Sequence, residues 1–217
     1  MFLKADDEKF VREFFTKLTE PVKISYFTQN LECQYCRETR QLLEEVVALS
    51  DKLKLEVYNF QTDKALADIL GVDKIPATVI SPEKNSHARV KFYGIPAGYE
   101  FTSLLEAILM ASTGQIDLEL DLQKIVAAID RPVHIQVFVT PTCPYCPSAV
   151  KAAQKLAFLN PNIQAEMVES IEFPHLANRY SVRGVPRTVI NEDWSLEGAV
   201  PEKMLVAKIQ ESLRSLA

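Results

Sequence analysis

The chain has 217 residues, which is enough for one domain or for two. Hydrophobic residues make up 47% of it and charged residues 24%, so it can build an ordinary globular core. The 24 basic and 29 acidic residues leave a net charge of −5. This balance argues against nucleic acid as the main partner, because binding to phosphates needs a basic face.

The N-terminal segment has no apolar stretch of the kind that a secretory signal needs. Nowhere does an apolar run approach the ~20 residues that span a bilayer. We therefore expect a cytoplasmic protein with no membrane partner.

The first half of the chain alternates between helical and strand periodicity. In chain order the pattern predicts helix over 6–19, strand over 22–28, helix over 34–50, strand over 54–60, helix over 64–70, strands over 77–81 and 89–93, and helix over 99–111. A polar turn at Glu83–Ser86 separates the last two strands, and Gly114 is a suitable stop for the last helix.

The second half repeats this order of elements. The pattern predicts helix over 119–129, strand over 133–139, helix over 144–159, strand over 163–169, helix over 173–180, strands over 187–191 and 195–198, and helix over 201–215. The change from one half to the other falls at Ser112–Gln115. We therefore predict two α/β units, residues 1–114 and 115–217.

Specific residues repeat at one fixed interval. Cys33 and Cys143 are 110 positions apart, and Pro76 and Pro186 are the same distance apart. Lys74–Ile80 matches the segment 184–190 in its Pro, Thr, Val and Ile residues. Two features at one offset, with no insertion between them, indicate a tandem duplication.

The chain has four cysteines, arranged as two Cys-x-x-Cys pairs: Cys33, Cys36, Cys143 and Cys146. Each pair lies between a predicted strand and a long predicted helix. The first cysteine is then at a helix N-terminus, where free N–H groups and the positive end of the helix dipole stabilise a thiolate. We expect Cys33 and Cys143 to attack disulfides, and Cys36 and Cys146 to resolve the mixed disulfide.

This arrangement resembles the thioredoxin fold. The order strand, Cys-x-x-Cys, helix, strand, helix, Ile-Pro or Val-Pro, hairpin and helix occurs twice, and Cys143-Pro144-Tyr145-Cys146 is similar to the glutaredoxin active site. Two such units in one short chain resemble the protein disulfide oxidoreductases of thermophiles, also called glutaredoxin-like proteins. The resemblance implies two units, each with a central mixed sheet flanked by helices.

The resemblance also implies what the site residues do. The prolines would be cis and face the cysteines, and the backbone of the preceding residue would pair with the substrate. The expected substrate-binding residues are Ile75, Pro76, Val185, Pro186, Tyr35 and Tyr145. The expected function is to reduce, form or isomerise protein disulfides, with no cofactor besides the cysteine pairs, no metal, and a separate thioredoxin-reductase-like flavoprotein as partner.

Several residues depart from the family patterns. The Gly-Gly-x-Asp element with which glutaredoxins bind glutathione has no counterpart at Ser81–Glu83 or Asn191–Asp193. Thioredoxins bury an acid in the strand before the site, where this chain has Ser25 and Gln136. Proton handling must therefore differ from that of thioredoxins or use another group.

The flanking charges predict that the two sites differ. Glu32 adjoins Cys33 and disfavours its thiolate, whereas Arg183 and Arg187 flank Pro186 beside the second site. Our hypothesis is that Cys143 is the more acidic thiol and the main site for protein disulfides. The alternative is that solvent screens these charges and the sites behave alike.

Three other functions compete with the enzyme. The two cysteine pairs could share a zinc ion, although such pairs usually lie ~15–20 residues apart. A chaperone or binding module could keep the fold without its redox role. A third alternative is electron relay between a separate flavin reductase and a peroxiredoxin-type acceptor. Alkyl hydroperoxide reductase has a paired thioredoxin-like domain, but in that family one of the two units lacks its cysteines.

A few further residues could take part in chemistry. Glu56 and Glu166 share the repeat interval and could handle protons, although a solvated strand face explains them as well. The histidines, His87, His134 and His175, show no ligand spacing and are expected on surfaces or strands.

Overall fold

The computed structural model describes residues 2–84 and 88–215 and divides into two compact units. The first unit comprises Met1–Ile95 and Leu105–Gly114, and the second comprises Pro96–Leu104 and Gln115–Ala217. The division thus assigns the short segment 96–104 to the second unit. The predicted boundary between residues 114 and 115 stays a prediction.

The first unit is built on a four-stranded mixed sheet. Its elements are α1 (Ala5–Phe15), β1 (Val22–Thr28), α2 (Cys36–Val47), β2 (Leu53–Asn59), α3 (Lys64–Ile69), β3 (Ala77–Pro82) and β4 (Val90–Tyr93), and helix α4 (Glu100–Thr113) follows. The strand order is β2-β1-β3-β4, with β1 parallel to β2 and antiparallel to β3. Strand β4 pairs antiparallel with β3 and completes the sheet.

The second unit repeats this sheet. Its elements are α5 (Leu120–Ala127), β5 (Val133–Val139), α6 (Cys146–Leu159), β6 (Ile163–Glu169), α7 (Pro174–Arg179), β7 (Arg187–Ile190), β8 (Trp194–Glu197) and α8 (Glu202–Arg214). The strand order is β6-β5-β7-β8, with β5 parallel to β6 and antiparallel to β7. The predicted fold class, tandem α/β units with central mixed sheets, is confirmed.

The two central strands are buried on both faces. Ile24 and Phe27 of β1, and Ile135 and Phe138 of β5, are fully buried. Their consecutive apolar residues are typical of a strand that is covered by helices on both sides. The burial fixes the carboxyl ends of β1 and β5, from which the cysteine loops start.

The long helices begin two residues later than the periodicity predicts. Helices α2 and α6 start at Cys36 and Cys146 instead of at 34 and 144. The residue before each helix is its N-cap. The φ/ψ angles are −115/14° at Tyr35, outside the helical region, and −94/−18° at Tyr145, at its margin. The residues between the cysteines therefore form a turn that leads into the helix.

Two further predictions are adjusted. Helix α1 ends at Phe15 instead of residue 19, because the amides of Thr16, Lys17 and Leu18 bond three residues back and tighten the last turn. The turn predicted at Glu83–Ser86 lies partly outside the described residues, and so does His87.

Candidate active sites

Each cysteine pair bridges the gap between a strand end and a helix start. Both pairs are disulfide-bonded, with Cα–Cα distances of 5.5 Å. In each pair the second cysteine is the first helical residue, and the first cysteine lies three positions earlier in the loop. This is the geometry in which a thiolate faces the free N–H groups of a helix N-terminus.

In the second site the two cysteines have different environments. Cys146 is fully buried, whereas Cys143 keeps 7% of its surface exposed. The backbone N–H of Cys146 donates a hydrogen bond to Sγ of Cys143 over 3.1 Å. Sγ of Cys143 also lies 3.7 Å from the carbonyl oxygen of Val185. The more accessible sulfur is thus the one that receives backbone stabilisation.

The first site has a different surrounding. Cys33 is partly exposed and Cys36 is buried. The buried Tyr26 donates its hydroxyl to the carbonyl oxygen of Cys36 over 2.6 Å, which ties the start of α2 to strand β1. Glu32, next to Cys33, is exposed and has a positive φ of 57°.

Each unit contains one cis proline. The Ile75–Pro76 and Val185–Pro186 peptide bonds are both cis, as the resemblance implied. The carbonyl oxygens of Pro76 and Pro186 accept hydrogen bonds from Gly94 and Gly198 over 3.0 Å and 2.8 Å. These bonds hold each proline against the end of its own hairpin.

The tyrosines between the cysteines are not equivalent. Tyr145 is 70% exposed, as a docking surface requires. Tyr35 is only partly exposed, and its hydroxyl oxygen is 3.4 Å from Nε2 of Gln34. Only the second site therefore presents a largely free aromatic ring.

The two arginines next to Pro186 have different environments. Nη1 of Arg187 lies 2.6 Å from Oε1 of Glu197, and the Arg187 side chain is 17% exposed. Arg183 is exposed and forms no ion pair with any residue in the described ranges. Of these two charges flanking Pro186, only that of Arg183 is available to solvent.

The repeat-related glutamates bind basic residues of the sheet. Glu56 pairs with Lys23 over 2.6 Å and Lys54 over 2.7 Å and accepts a hydrogen bond from Tyr58. The Lys23, Lys54 and Tyr58 contacts lower the pKa of Glu56 to about 2, so it remains ionised near neutral pH. It does not exchange protons there.

The second glutamate of the pair, Glu166, is buried. Its Oε2 lies 2.9 Å from Nε2 of His134 on the neighbouring strand. His134 lies on β5, as expected of a strand residue, and His175 is exposed.

A group that the sequence did not single out is Glu100. Its residue is 1% exposed, and burial raises the pKa of the carboxyl to about 7, with the Ser103 hydroxyl opposing the shift. The preceding residue, Tyr99, donates its N–H to the carbonyl oxygen of Pro141 over 3.0 Å. Pro141 lies two residues before Cys143, so this segment is joined directly to the second cysteine loop.

The strand positions where thioredoxins bury an acid hold neutral side chains. Ser25 and Gln136 are 3% and 4% exposed. Another buried titratable carboxyl, that of Glu100, belongs to the segment that is hydrogen-bonded to Pro141. No sequence signal identified it, because its closeness to Pro141 depends on long-range packing.

The cysteines have no metal-binding companions in the described part of the chain. Within residues 2–84 and 88–215, no group of three or more His, Cys, Asp or Glu side chains could hold a metal ion. No helix within these ranges is long and apolar enough to cross a bilayer.

A protein-family model and several curated proteins match this chain. A family model described as a thioredoxin domain matches residues 133–211. A polypeptide of the alkyl hydroperoxide reductase of Pseudomonas aeruginosa is 26% identical over 199 residues, which cover 92% of this chain and 36% of the relative. The chain thus spans about a third of the length of such curated relatives.

Solved structures match over nearly the whole chain. A protein disulfide oxidoreductase from Aeropyrum pernix K1 has a TM-score of 0.92 and 28% identity, over 99% of this chain and 95% of that one. A polypeptide of the alkylhydroperoxide reductase of Enterococcus faecalis V583 has a TM-score of 0.91 and 29% identity, over 96% of this chain and 100% of that one.

These findings confirm the predicted resemblance and support an oxidoreductase. The cysteine pairs lie where the thioredoxin fold holds its redox sites, and the structural neighbours contain the same tandem arrangement. Residues 133–211 match the thioredoxin-domain model, and the chain as a whole is similar in fold to the protein disulfide oxidoreductase of Aeropyrum pernix K1.

Proposed function

We propose that this chain is a cytoplasmic thiol–disulfide oxidoreductase that exchanges electrons with protein disulfides through two dithiol sites. The observation that carries the proposal is the hydrogen bond from the Cys146 N–H to Sγ of Cys143, with Cys143 7% exposed and Cys146 fully buried. A sulfur that is both reachable and stabilised as a thiolate is the group that attacks a disulfide.

The reaction at the second site follows from this geometry. In the reduced protein, the Cys143 thiolate attacks one sulfur of the substrate disulfide, and the other substrate sulfur leaves as a thiolate. The Cys146 thiolate then attacks Sγ of Cys143 and releases the first substrate sulfur. Two electrons pass from the dithiol to the substrate, and the same steps in reverse oxidise a substrate dithiol. Cys33 and Cys36 take the corresponding roles in the first site.

The substrate backbone would lie along the residue that precedes each proline. The carbonyl oxygen of Val185 is 3.7 Å from Sγ of Cys143, so a chain bonded to that sulfur passes beside Val185 and Pro186. Ile75 and Pro76 take this place in the first site. Tyr145, which is largely exposed, and Tyr35 contribute apolar contacts next to the reacting sulfur.

Glu100 is our candidate for the proton carrier of the second site. Its carboxyl has a pKa of about 7 and belongs to the segment that is hydrogen-bonded to Pro141. A group with this pKa can accept or release a proton at neutral pH when a buried thiol such as Cys146 must ionise. It would replace the strand acid whose position Gln136 occupies.

The test is a redox titration against a dithiol buffer, followed by alkylation of free thiols and measurement of the intact mass. Wild type is compared with Cys33→Ser and Cys143→Ser. Two reversible two-electron steps in wild type, one of which is lost in each variant, are expected. Thiols that stay reduced at every buffer ratio, or that react only after a chelator is added, contradict the proposal.

Electron relay is a second candidate function. It is favoured by the match of 92% of this chain to part of an alkyl hydroperoxide reductase polypeptide. A relay would take electrons from a thioredoxin-reductase-like flavoprotein and pass them to a peroxiredoxin-type acceptor. Reduction of a purified peroxiredoxin that is much faster than reduction of a general protein disulfide would support the relay.

A further inference from the structure

The two sites carry opposite charges at the same position of the repeat. Asp73 and Arg183 each stand three residues before the cis proline of their unit. The Asp73 side chain is 72% exposed, and Arg183 is exposed as well. Equivalent positions of the two units thus carry opposite charges, both exposed.

Arg183 lies close in sequence to a residue that is next to the reacting sulfur. It is two residues from Val185, whose carbonyl oxygen is 3.7 Å from Sγ of Cys143. Two residues of extended chain span about 7 Å, which is close to the reach of an arginine side chain. A substrate that is bonded to Cys143 and runs beside Val185 would therefore place neighbouring side chains within reach of the Arg183 guanidinium.

The positive charge of Arg183 is not neutralised by its surroundings. Arg187, on the other side of Pro186, is held by Glu197, whereas Arg183 has no ion-pair partner within the described residues. In the first unit the neighbouring Lys74 lies 2.6 Å from Asp73 and 3.6 Å from the centre of the Tyr93 ring. The Asp73 charge is therefore partly offset, and Arg183 is expected to have the stronger effect.

We infer that Arg183 makes the second site select disulfide substrates that carry a carboxylate side chain near the reacting cysteine, and that Asp73 gives the first site the opposite bias. This inference rests on the proposed function, since it assigns a substrate class to that same site. The step itself is unchanged: Cys143 attacks, the leaving sulfur departs as a thiolate, and Cys146 closes the enzyme disulfide. Only the rate of attack depends on the substrate charge.

The experiment uses the full chain with one active dithiol at a time. A second-site protein carries Cys33→Ser and Cys36→Ser, and a first-site protein carries Cys143→Ser and Cys146→Ser. Each is reduced and mixed with a short single-cysteine peptide that is disulfide-linked to a chromogenic thiol. The peptides differ only in the residues that flank the cysteine, which are Asp, Ser or Lys. Release of the chromophore gives the rate of attack.

The second-site protein is expected to react about two- to fivefold faster with the Asp peptide than with the Ser peptide, as one exposed ion pair allows. The Lys peptide should be slower than the Ser peptide. The preference should shrink at high salt, because exposed charges are screened. In the first-site protein the ratio of the Asp-peptide rate to the Lys-peptide rate should be lower than in the second-site protein.

Arg183→Asp in the second-site protein should reverse the preference. The matched control is Arg214→Asp, which makes the same charge change in the last turn of helix α8. Arg131, two residues before β5, donates to the carbonyl oxygen of Leu213, which places Arg214 at the end of β5 away from Cys143. This control should keep the wild-type ratio.

Each result has a definite meaning. The ratio is taken within one protein, so a variant with generally lower reactivity still gives an answer. Equal rates for the Asp and Lys peptides, or a preference that survives Arg183→Asp, would overturn the inference and leave the oxidoreductase proposal intact. No reaction of either single-site protein with any peptide would instead overturn the proposed function.

Discussion

The backbone N–H of Cys146 points at Sγ of Cys143 over 3.1 Å, and the described residues give Sγ of Cys33 no corresponding hydrogen bond. A hydrogen bond to the charged form lowers the pKa of a thiol, whereas the carboxylate of Glu32 beside Cys33 acts in the opposite sense. This asymmetry supports the hypothesis that Cys143 is the more acidic of the two attacking thiols.

We predict that Cys143 has a lower thiol pKa than Cys33. The measurement is the pH dependence of alkylation of the first cysteine in two variants, each with the other dithiol replaced by serine and its own second cysteine also replaced. Cys143 should reach half of its maximal rate at the lower pH. Equal pKa values, or a lower value for Cys33, would contradict the assignment of Cys143 as the main site.

Glu100 gives a prediction about stability and pH. Burial raises its pKa to about 7 in the folded protein, above the usual value for an unfolded chain, so the folded state binds the proton more tightly. Its contribution to stability is therefore present at low pH and is lost as the pH rises from about 4.5 to about 7. Glu100→Gln, which stays neutral, should remove this loss.

Chemical denaturation at pH 5 and pH 8 measures the effect. Between pH 5 and pH 8 the wild type should lose on the order of 1–3 kcal/mol more unfolding free energy than Glu100→Gln does. The control is Glu13→Gln on the exposed face of α1, which should not change the pH dependence. In Glu100→Gln, and not in Glu13→Gln, the redox rate of the second site should lose its pH dependence near 7 if Glu100 carries the proton. If the pH profile of the rate is unchanged in Glu100→Gln, Glu100 has a structural role and does not carry the proton.

The contrast between the cysteine loops and Glu100 shows what the sequence can predict. Strands β1 and β5 have the predicted bounds, since runs of β-branched and aromatic residues fix them locally. The cysteines and prolines were found because the repeat marks them. Glu100 was missed because it lies in the first turn of a predicted helix, where an acid is expected at the surface, and its segment reaches Pro141 only through tertiary packing.

Gly98 allows the link between this segment and the second cysteine loop to be tested. Its φ is +62°, and a Cβ placed on it would overlap the carbonyl oxygen of Pro141. Gly98→Ala should therefore push the 140–143 loop away and slow disulfide exchange at Cys143, with less effect at Cys33. Gly114 is a matched control, since its φ is +65° and nothing lies within 4 Å of the added Cβ.

Gly114→Ala should lose about 1–2 kcal/mol of stability, because an L-residue is forced into the left-handed region, and Gly98→Ala should lose more because of the added overlap with Pro141. Only Gly98→Ala should also change the rate at Cys143, measured with the single-cysteine peptides. Identical redox rates in the two variants would show that the Tyr99–Pro141 contact does not position the loop.

Glu56 provides the last prediction, on the charged cluster of the first sheet. Its pKa is lowered to about 2 by Lys23, Lys54 and Tyr58, so the carboxylate favours the folded state above the unfolded pKa of about 4.5. This stabilisation should fade as the pH falls from about 4.5 towards 2. Because the cluster is partly exposed, Glu56→Gln should cost on the order of 1 kcal/mol of unfolding free energy at pH 7.

The redox rates of both sites should be unchanged in Glu56→Gln at neutral pH, since a group that stays ionised carries no proton between the thiols. Denaturation midpoints at pH 7 and pH 3 and peptide reduction rates at pH 7 are the measurements. A large fall in the rate at Cys33 with little change in stability would contradict this prediction. It would assign Glu56 a role in the redox chemistry and not only in the ion-pair cluster.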